Sequence, residues 1–119
     1  MPRPVPKLAI NLTDGSVAIA FAREAALRLQ QELTQLSQTL SQNSGQNSGQ
    51  NRAKNSLPSL EYQHTGEVFL EIFCNPNIWA NAFSAKVLLT LRDQQIRLTT
   101  EVELSRLLED LAQYLEVAE

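Results

Sequence analysis

The sequence has little of what metal, phosphate and disulfide sites are built from. Its 119 residues include one cysteine, one histidine, one tryptophan and four glycines. One Cys and one His cannot supply the four ligands of a structural zinc site, and one Cys cannot form a disulfide within the chain. None of the glycines stands in a GxGxxG or GxxxxGK arrangement, the two common phosphate-binding loops. We therefore expect no metal and no other cofactor.

Long apolar runs and an excess of basic charge are missing as well. The apolar runs fall far short of the roughly 20 residues of a membrane-spanning helix, so no membrane span is expected. The net charge is -3, whereas nucleic-acid-binding proteins normally carry a basic patch, which disfavours nucleic acid as a partner. No charged segment followed by an apolar one marks a secretion signal, and this predicts a cytoplasmic protein.

The candidates for catalysis are weak. His64 and Cys74 are the only possible Cys/His nucleophilic pair. The simpler interpretation is that His64 is a polar residue and Cys74 a small, partly buried residue, each near the end of a strand. Glu109 and Asp110 are expected on the solvent side of the last helix, as an ordinary charged surface. The sequence therefore predicts a protein that is not an enzyme.

The N-terminal segment allows two structures. Residues 1–6 carry proline at alternate positions, which predicts a flexible arm before a single domain over 7–119. Leu8, Ile10 and Leu12 then alternate as in a strand. Residues 13–21 form either a hairpin that pairs Leu12 with Val17, Ile10 with Ile19 and Leu8 with Phe21 around Asp14 and Gly15, or the start of a helix. The expected fold takes the helix from near Ser16.

That helix and a low-complexity segment complete the N-terminal half. Apolar residues recur at spacings of three and four, as on the buried face of a helix: Ile19, Ala22, Ala26, Leu29, Leu33, Leu36 and Leu40. Beyond Leu40, the sequence Gln-Asn-Ser-Gly occurs twice in tandem. Such a polar stretch cannot bury enough apolar surface to offset its ordering entropy, so a disordered loop is predicted at 42–56.

The C-terminal half reads as an antiparallel sheet followed by a helix. Alternating residues predict strands at 67–73, 85–92 and 95–99 and a short one at 60–64, with a turn at Asp93 and Gln94. Residues 100–103 match a capping box, and leucines at helical spacing follow. The predicted fold is α+β: an antiparallel sheet of three to four strands with a long N-terminal helix and a C-terminal helix, in the order β-α-β-β-β-α.

One face of this predicted sheet lacks an obvious cover. The closing helix offers leucines to the Val/Leu/Ile face, whereas the other face carries Phe69, Phe73 and Leu88 among charged residues. Two phenylalanines are unusual on a fully solvated sheet face. Either the long N-terminal helix covers this face, or a second copy of the chain does, and these three residues are the candidate dimer face.

The segment between two predicted strands, residues 74–83, collects unusual side chains. Asn75, Asn77, Trp79, Asn81 and Phe83 are the candidate partner-binding residues. In one interpretation the aromatic rings plug the end of the core while the amides satisfy turn backbone groups. In the other, Trp79 and the neighbouring amides form a protein-docking edge.

Residues 72–101, together with the Gln- and Leu-rich helix, give the chain a resemblance to small uncharacterised proteins of cyanobacteria. The resemblance implies a cytosolic or stromal-side protein of a photosynthetic cell and assigns no functional residue. From the residues themselves we expect a small non-enzymatic accessory, assembly or regulatory factor that acts by protein–protein interaction as a homodimer. The alternative is a module that binds a small ligand or single-stranded nucleic acid through Trp79 and Phe83.

Overall fold

The computed structural model describes residues 6–46 and 57–117, and of 42–46 only the backbone. The protein is α+β, as the sequence predicts. However, the described elements follow the order β-β-α-β-β-β-β-α, and the strands form two antiparallel sheets, one of two strands and one of four. The elements are β1 (Lys7–Leu12), β2 (Gly15–Ala20), α1 (Arg23–Gln46), β3 (Leu60–His64), β4 (Phe69–Cys74), β5 (Lys86–Arg92), β6 (Arg97–Glu103) and α2 (Leu104–Val117).

The segment after β1 forms a hairpin, so the expected helix start near Ser16 is wrong. Val17 and Ile19 are β-branched and alternate with small residues, a pattern that suits a half-buried strand. Leu8 pairs with Ile19 and Ile10 with Val17, so the pairing is shifted by two residues from the predicted one. The turn consists of Thr13 and Asp14 instead of Asp14 and Gly15.

The pairing of this hairpin extends past its strands. Phe21 donates its backbone N–H to the carbonyl oxygen of Pro6 at 3.0 Å, so the last residue of the predicted arm takes part in the fold. The remainder of that arm, residues 1–5, lies outside the described residues.

Helix α1 begins at Arg23, after the hairpin, and keeps the predicted apolar face. Its buried residues are Ala26, Leu29, Leu33, Leu36 and Leu40. The helix continues to Gln46, so residues 42–46 are helical where the sequence predicts the beginning of a loop. The rest of the predicted loop, 47–56, lies outside the described residues.

The four-stranded sheet is a meander in the order β3-β4-β5-β6. The predicted short strand at 60–64 is confirmed as β3. In the turn between β5 and β6, the Asp93 carboxylate accepts the backbone N–H groups of Gln95 at 2.8 Å and Ile96 at 2.9 Å. This local capture of two donors is typical of Asp in turns.

The predicted capping box at 100–103 is wrong, because these residues belong to β6. Val102 is buried and pairs with Val87 across the sheet, so strand pairing prevails over a helix start. Helix α2 begins only at Leu104, whose N–H donates to the carbonyl oxygen of Ala85 at 3.0 Å. A backbone group of the residue before β5 thus satisfies one of the free donors at the helix start.

The helices pack on one side of the sheet, and the core lies between them. Helix α2 contacts α1, β1 and β6, and α1 contacts β3. Tyr62 on β3 points to this side, with its hydroxyl 3.5 Å from the carbonyl oxygen of Ala25 in α1. Helix α1 therefore does not cover the face that carries Phe73 and Leu88. Of the two covers considered for that face, the long N-terminal helix is wrong. The sheet contributes Leu70, Ile72, Cys74, Val87, Leu89, Leu91 and Val102 to the core, and α2 contributes Leu104, Leu107, Leu111 and Tyr114.

Candidate partner-binding surfaces

The loop between β4 and β5, residues 75–85, is held in place by its own amide side chains. Pro76–Ile78 forms one turn of 3-10 helix, and proline in the first turn suits it because that position needs no donor. Asn75 caps this turn: its side-chain oxygen accepts the backbone N–H of Asn77 at 3.1 Å and the Asn77 amide at 3.0 Å.

Asn77 joins this loop to the chain segment before β3. Its Oδ1 accepts the backbone N–H of Leu57 at 2.8 Å, and its Nδ2 donates to the backbone oxygen of Leu57 at 2.9 Å. The side-chain amide thus pairs with a backbone residue as a neighbouring strand would. A sequence alone gives no sign of this contact, since the two residues are not neighbours in the chain.

Asn81 makes a second local turn. Its Oδ1 accepts the backbone N–H of Ser84 at 3.0 Å, and the Ser84 hydroxyl donates to the Asn81 carbonyl oxygen at 3.2 Å. The three asparagines of the loop therefore bond to the loop and to residue 57, as the first interpretation of this segment expects.

The aromatic and apolar residues of the loop divide into a packed and an exposed group. Trp79 is half-buried and packs against the core with Ala82. Phe83 is 87% exposed and Ile78 is 67% exposed. Ile78 was not among the predicted partner-binding residues. The sequence feature that could have identified it is its position beside Trp79, in a segment whose pattern predicts neither a strand nor a helix. A fixed loop that presents two apolar side chains to solvent is a suitable anchor for a partner.

The second candidate surface is the outer face of the four-stranded sheet, the face turned away from both helices. The strand register arranges its side chains in four rows that run across the strands. The row nearest the β4-β5 loop consists of Lys86 and Glu103. The acidic row consists of Glu61, Phe73, Leu88 and Glu101. The middle row consists of Gln63, Glu71, Thr90 and Thr99, and the basic row consists of Phe69, Arg92 and Arg97.

An apolar pair lies at the centre of the acidic row. Phe73 and Leu88 are direct cross-strand partners, and they are 39% and 41% exposed. Cross-strand aromatic and aliphatic pairs of this kind stabilise the sheet, but here a large part of both side chains still faces solvent. Glu61 and Glu101 flank the pair on the two edge strands.

The third residue of the candidate dimer face, Phe69, is partly covered by its neighbour. The guanidinium of Arg92 lies over the Phe69 ring, 4.2 Å from its centre, which is a favourable cation–π geometry. In the middle row, the Gln63 amide donates to the Glu71 carboxylate at 2.9 Å, and the Thr90 and Thr99 hydroxyls lie 3.3 Å apart.

The possible nucleophilic pair is separated by the fold. Cys74 pairs with Leu60 and His64 with Leu70, at opposite ends of the β3-β4 hairpin. Burial raises the pKa of the Cys74 thiol, which disfavours the reactive thiolate. The His64 ring packs edge-on against Phe21 with 4.9 Å between ring centres.

Asp110 is buried, contrary to its expected place on the solvent side of α2. Only 6% of it is exposed, and its two carboxylate oxygens accept the backbone N–H and the side-chain amide of Asn11 at 2.9 and 2.7 Å. The carboxylate thus links the N-terminal hairpin to α2. The concave surface beside it, between β1 and α2, is lined by Lys7, Ala9, Gln113 and Tyr114.

Within 6–46 and 57–117, no three His, Cys, Asp or Glu side chains come together as metal ligands would. No helix in these ranges is both long and apolar enough to cross a membrane. No family model, curated protein or solved structure matches the chain. The resemblance to cyanobacterial proteins therefore stays a prediction.

Proposed function

We propose that this protein is a non-enzymatic accessory, assembly or regulatory factor that binds another protein and is itself a homodimer. The observation that carries the proposal is the outer face of the sheet. Both helices pack on the opposite side, and none of the described elements covers the exposed Phe73 and Leu88 pair. The homodimer buries this pair, and the loop between β4 and β5 remains free for the partner.

The energetics favour a weak, reversible dimer. About 40% of each side chain of the pair is exposed, which amounts to roughly 150 Å² of apolar surface per copy. At about 25 cal/mol per Å², burying it in both copies contributes roughly 8 kcal/mol. Association costs about 4–15 kcal/mol in lost translational and rotational freedom. Burial of the apolar pair alone therefore roughly offsets the cost of association, and the remaining contacts of the face decide the affinity.

The partner site that we propose is the exposed part of the loop. Ile78 and Phe83 offer apolar surface at fixed positions, because Asn75, Asn77 and Asn81 hold the backbone on either side of them. A partner that covers these side chains pays little for ordering the loop.

The dimer is tested by light scattering after size exclusion, over a range of protein concentrations. Wild type is expected to show a concentration-dependent mass between one and two chains, and Leu88→Lys is expected to stay monomeric because a lysine at the apolar pair would be desolvated. Ile96→Lys is the matched control, since Ile96 is 66% exposed in the β5-β6 turn. A wild type that remains monomeric at the highest concentration would contradict the homodimer.

The partner site is tested by affinity capture with the purified protein as bait. A specific partner should be retained by wild type and by Ile96→Ala, and lost with Phe83→Ala and with Ile78→Ala. Phe83 is a sharper choice than Trp79, because Trp79 also packs against the core and its removal would disturb the fold. Equal capture by all four proteins would contradict a role for the loop.

One observation favours the alternative function. The Phe83 ring is exposed on a loop that also contains Trp79, and Lys86 follows it closely in the chain. Stacking of a base or another planar ligand on these rings would quench the single Trp. A titration of Trp fluorescence with nucleotides and single-stranded oligonucleotides tests this alternative, and an unchanged signal throughout would exclude the ligands tried.

A further inference from the structure

The rows of the outer face specify how two copies can fit together. We propose that they pack outer face to outer face about a two-fold axis that runs across the strands above the middle row. The acidic row of each copy then lies over the basic row of the other. This arrangement rests on the proposed homodimer and adds to it the orientation of the second copy and the charged pairs that select it.

The charges are separated along the strands. On β6, Glu101 and Arg97 point to the same face four residues apart, or about 13 Å at the usual rise of a strand. Glu61 lies in the row of Glu101, and Arg92 lies in the row of Arg97. The end of the outer face with the acidic row and the apolar pair is its acidic end, and the end with Arg92 and Arg97 is its basic end. Beyond the acidic row, Lys86 and Glu103 face each other across β5 and β6 and are opposite in charge. Glu67 and Asp93 lie beside Arg92, so Arg97 is the basic group on which the pairing depends.

A two-fold axis between two packed sheets can run along the strands or across them. With an axis along the strands, each row of one copy lies over the same row of the other copy. Strand β3 of one copy then lies over β6 of the other. Glu61 of one copy then faces Glu101 of the other, twice per dimer. Like charges facing each other in an interface oppose association, so this orientation is disfavoured.

An axis across the strands above the middle row exchanges the acidic row with the basic row. Glu101 then faces Arg97 of the other copy, and Phe73 faces Phe69 of the other copy, each twice per dimer. Leu88 meets the side chain of Arg92, whose guanidinium lies over the Phe69 ring and whose apolar stem can pack against a leucine. Aligned sheets cross at about 30°, an offset that the long arginine side chains can follow.

One contact in this arrangement is unfavourable. Glu71 of the middle row comes near its own symmetry mate. Its carboxylate accepts a hydrogen bond from Gln63, which disperses part of the charge, and this single repulsion stands against two Glu–Arg pairs. With the axis along the strands, no opposite pair offsets the two repulsions.

The size of the face sets the strength of the dimer. Four strands about 4.8 Å apart and seven residues long give a face of roughly 400 Å² in projection, hence about 900 Å² or somewhat more buried in total. This is near the lower limit of specific interfaces. A dissociation constant of roughly 10 µM to 1 mM is expected, and salt is expected to weaken the dimer because its charged pairs lie at the rim.

Charge reversal tests the orientation. Sedimentation equilibrium at low salt would compare wild type with Glu101→Arg, Arg97→Glu and the double variant. Each single variant replaces two attractions by two repulsions and should weaken the dimer about tenfold. The double variant should restore it to within about threefold, because the exchanged charges again face each other.

The controls carry the same charge changes on α2. Glu109→Arg and Arg106→Glu alter exposed residues of that helix and should leave the dimer unchanged. Rescue in the double variant cannot arise within one chain, since the two positions are about 13 Å apart along β6. Thermal melting of each variant monitors the fold separately from association.

The outcomes separate the orientation from the homodimer itself. A dimeric wild type whose affinity rises with Glu101→Arg alone would indicate the axis along the strands and overturn the proposal. Additive weakening without rescue would overturn it too. A monomeric wild type would overturn both the homodimer and its orientation.

Discussion

Asp110 shows at the scale of one residue how a polar side chain can join distant parts of the chain. It lies on the buried side of α2 and accepts two hydrogen bonds from Asn11 of β1. Hydrogen bonds to an ionised carboxylate are stronger than those between neutral groups. The β1-β2 hairpin forms a separate two-stranded sheet, so the contact between Asn11 and Asp110 helps to hold the hairpin against α2.

Replacing this carboxylate should therefore destabilise the fold. Asp110→Ala is expected to lower the free energy of unfolding by about 2–3 kcal/mol, because the Asn11 N–H loses its partner in a partly buried position. Urea denaturation measures the change. Glu109→Ala alters the neighbouring exposed acid and should change the free energy by less than about 0.5 kcal/mol. Equal effects of the two substitutions would show that the Asp110 contact contributes nothing.

Cys74 and two tyrosines predict how stability depends on alkaline pH. Burial raises the pKa of Cys74, Tyr62 and Tyr114 in the folded protein. Each group therefore ionises first in the unfolded chain as the pH rises, so its contribution to stability is complete below the unfolded pKa and is lost above it. The loss begins at about pH 8.5 for the thiol and at about pH 10 for the tyrosines.

Urea midpoints measured from about pH 7.5 to 10.5, spanning the thiol and tyrosine ranges, would check this expectation. Wild type should lose stability from about pH 8.5, whereas Cys74→Ala should stay level until the tyrosines ionise, at about pH 10. Cys74→Ala also removes a packed side chain, so the comparison concerns the slopes and not the absolute midpoints. Parallel slopes for the two proteins would contradict a buried, protonated thiol.

At the scale of the elements, the β4-β5 loop depends on one long-range contact. Asn77 bonds to both backbone groups of Leu57 through its side chain. Asn77→Ala should free the segment before β3 and speed amide exchange at Leu57, with a loss of about 1–2 kcal/mol in the opening free energy.

Asn81→Ala is the control for this substitution. Among the residues that the structure describes, Asn81 bonds only to Ser84 of the same loop, so its loss should leave exchange at Leu57 unchanged. Hydrogen exchange followed by NMR resolves the single amide. Slow exchange that persists in Asn77→Ala would show that other contacts hold residue 57.

The elements differ in how well the sequence predicts them. The leucine faces of α1 and α2 and the alternating residues of β4 and β5 are unambiguous, since long periodic patterns have one structural interpretation. The segment after β1 is short and fits two periods, because Ile19 continues both the strand alternation and the helix stripe. Tertiary pairing with β1 decided between them. Likewise, residues 100–103 fit a capping box locally, but strand pairing with β5 extended β6 through them.

The candidate surfaces follow the same division. The uncovered sheet face is predictable from Phe69, Phe73 and Leu88, because alternation assigns side chains to faces. The rows of charge depend on strand register, which alternation does not give, and register depends on turns such as the one at Asp93. The exposure of Phe83 and the half-burial of Trp79 depend on the path of the loop. That path is set by the Asn77 contact with Leu57, between residues far apart in the sequence.

At the scale of the whole molecule, the proposed dimer determines where two partners would bind. The loop that carries Ile78 and Phe83 adjoins the acidic end of the outer face, because it connects the end of β4 to the start of β5. An axis across the strands places the acidic ends of the two copies at opposite ends of the dimer. The two loops would then point away from each other and could hold two partner molecules apart, as an assembly factor would.

The separation of the loops is measurable with a spin label on the exposed residue Ala80. The buried thiol of Cys74 should react slowly with the label in the folded protein. A Cys74→Ala background ensures that only the cysteine introduced at position 80 is labelled. The axis across the strands predicts a distance of about 30 Å or more between labels, because each loop lies beyond two rows of about 6.6 Å from the axis. The axis along the strands would bring both loops to one end, within about 20 Å of each other across two packed sheets. A distribution centred on the shorter distance would therefore contradict both the proposed orientation and the idea of two partners held apart.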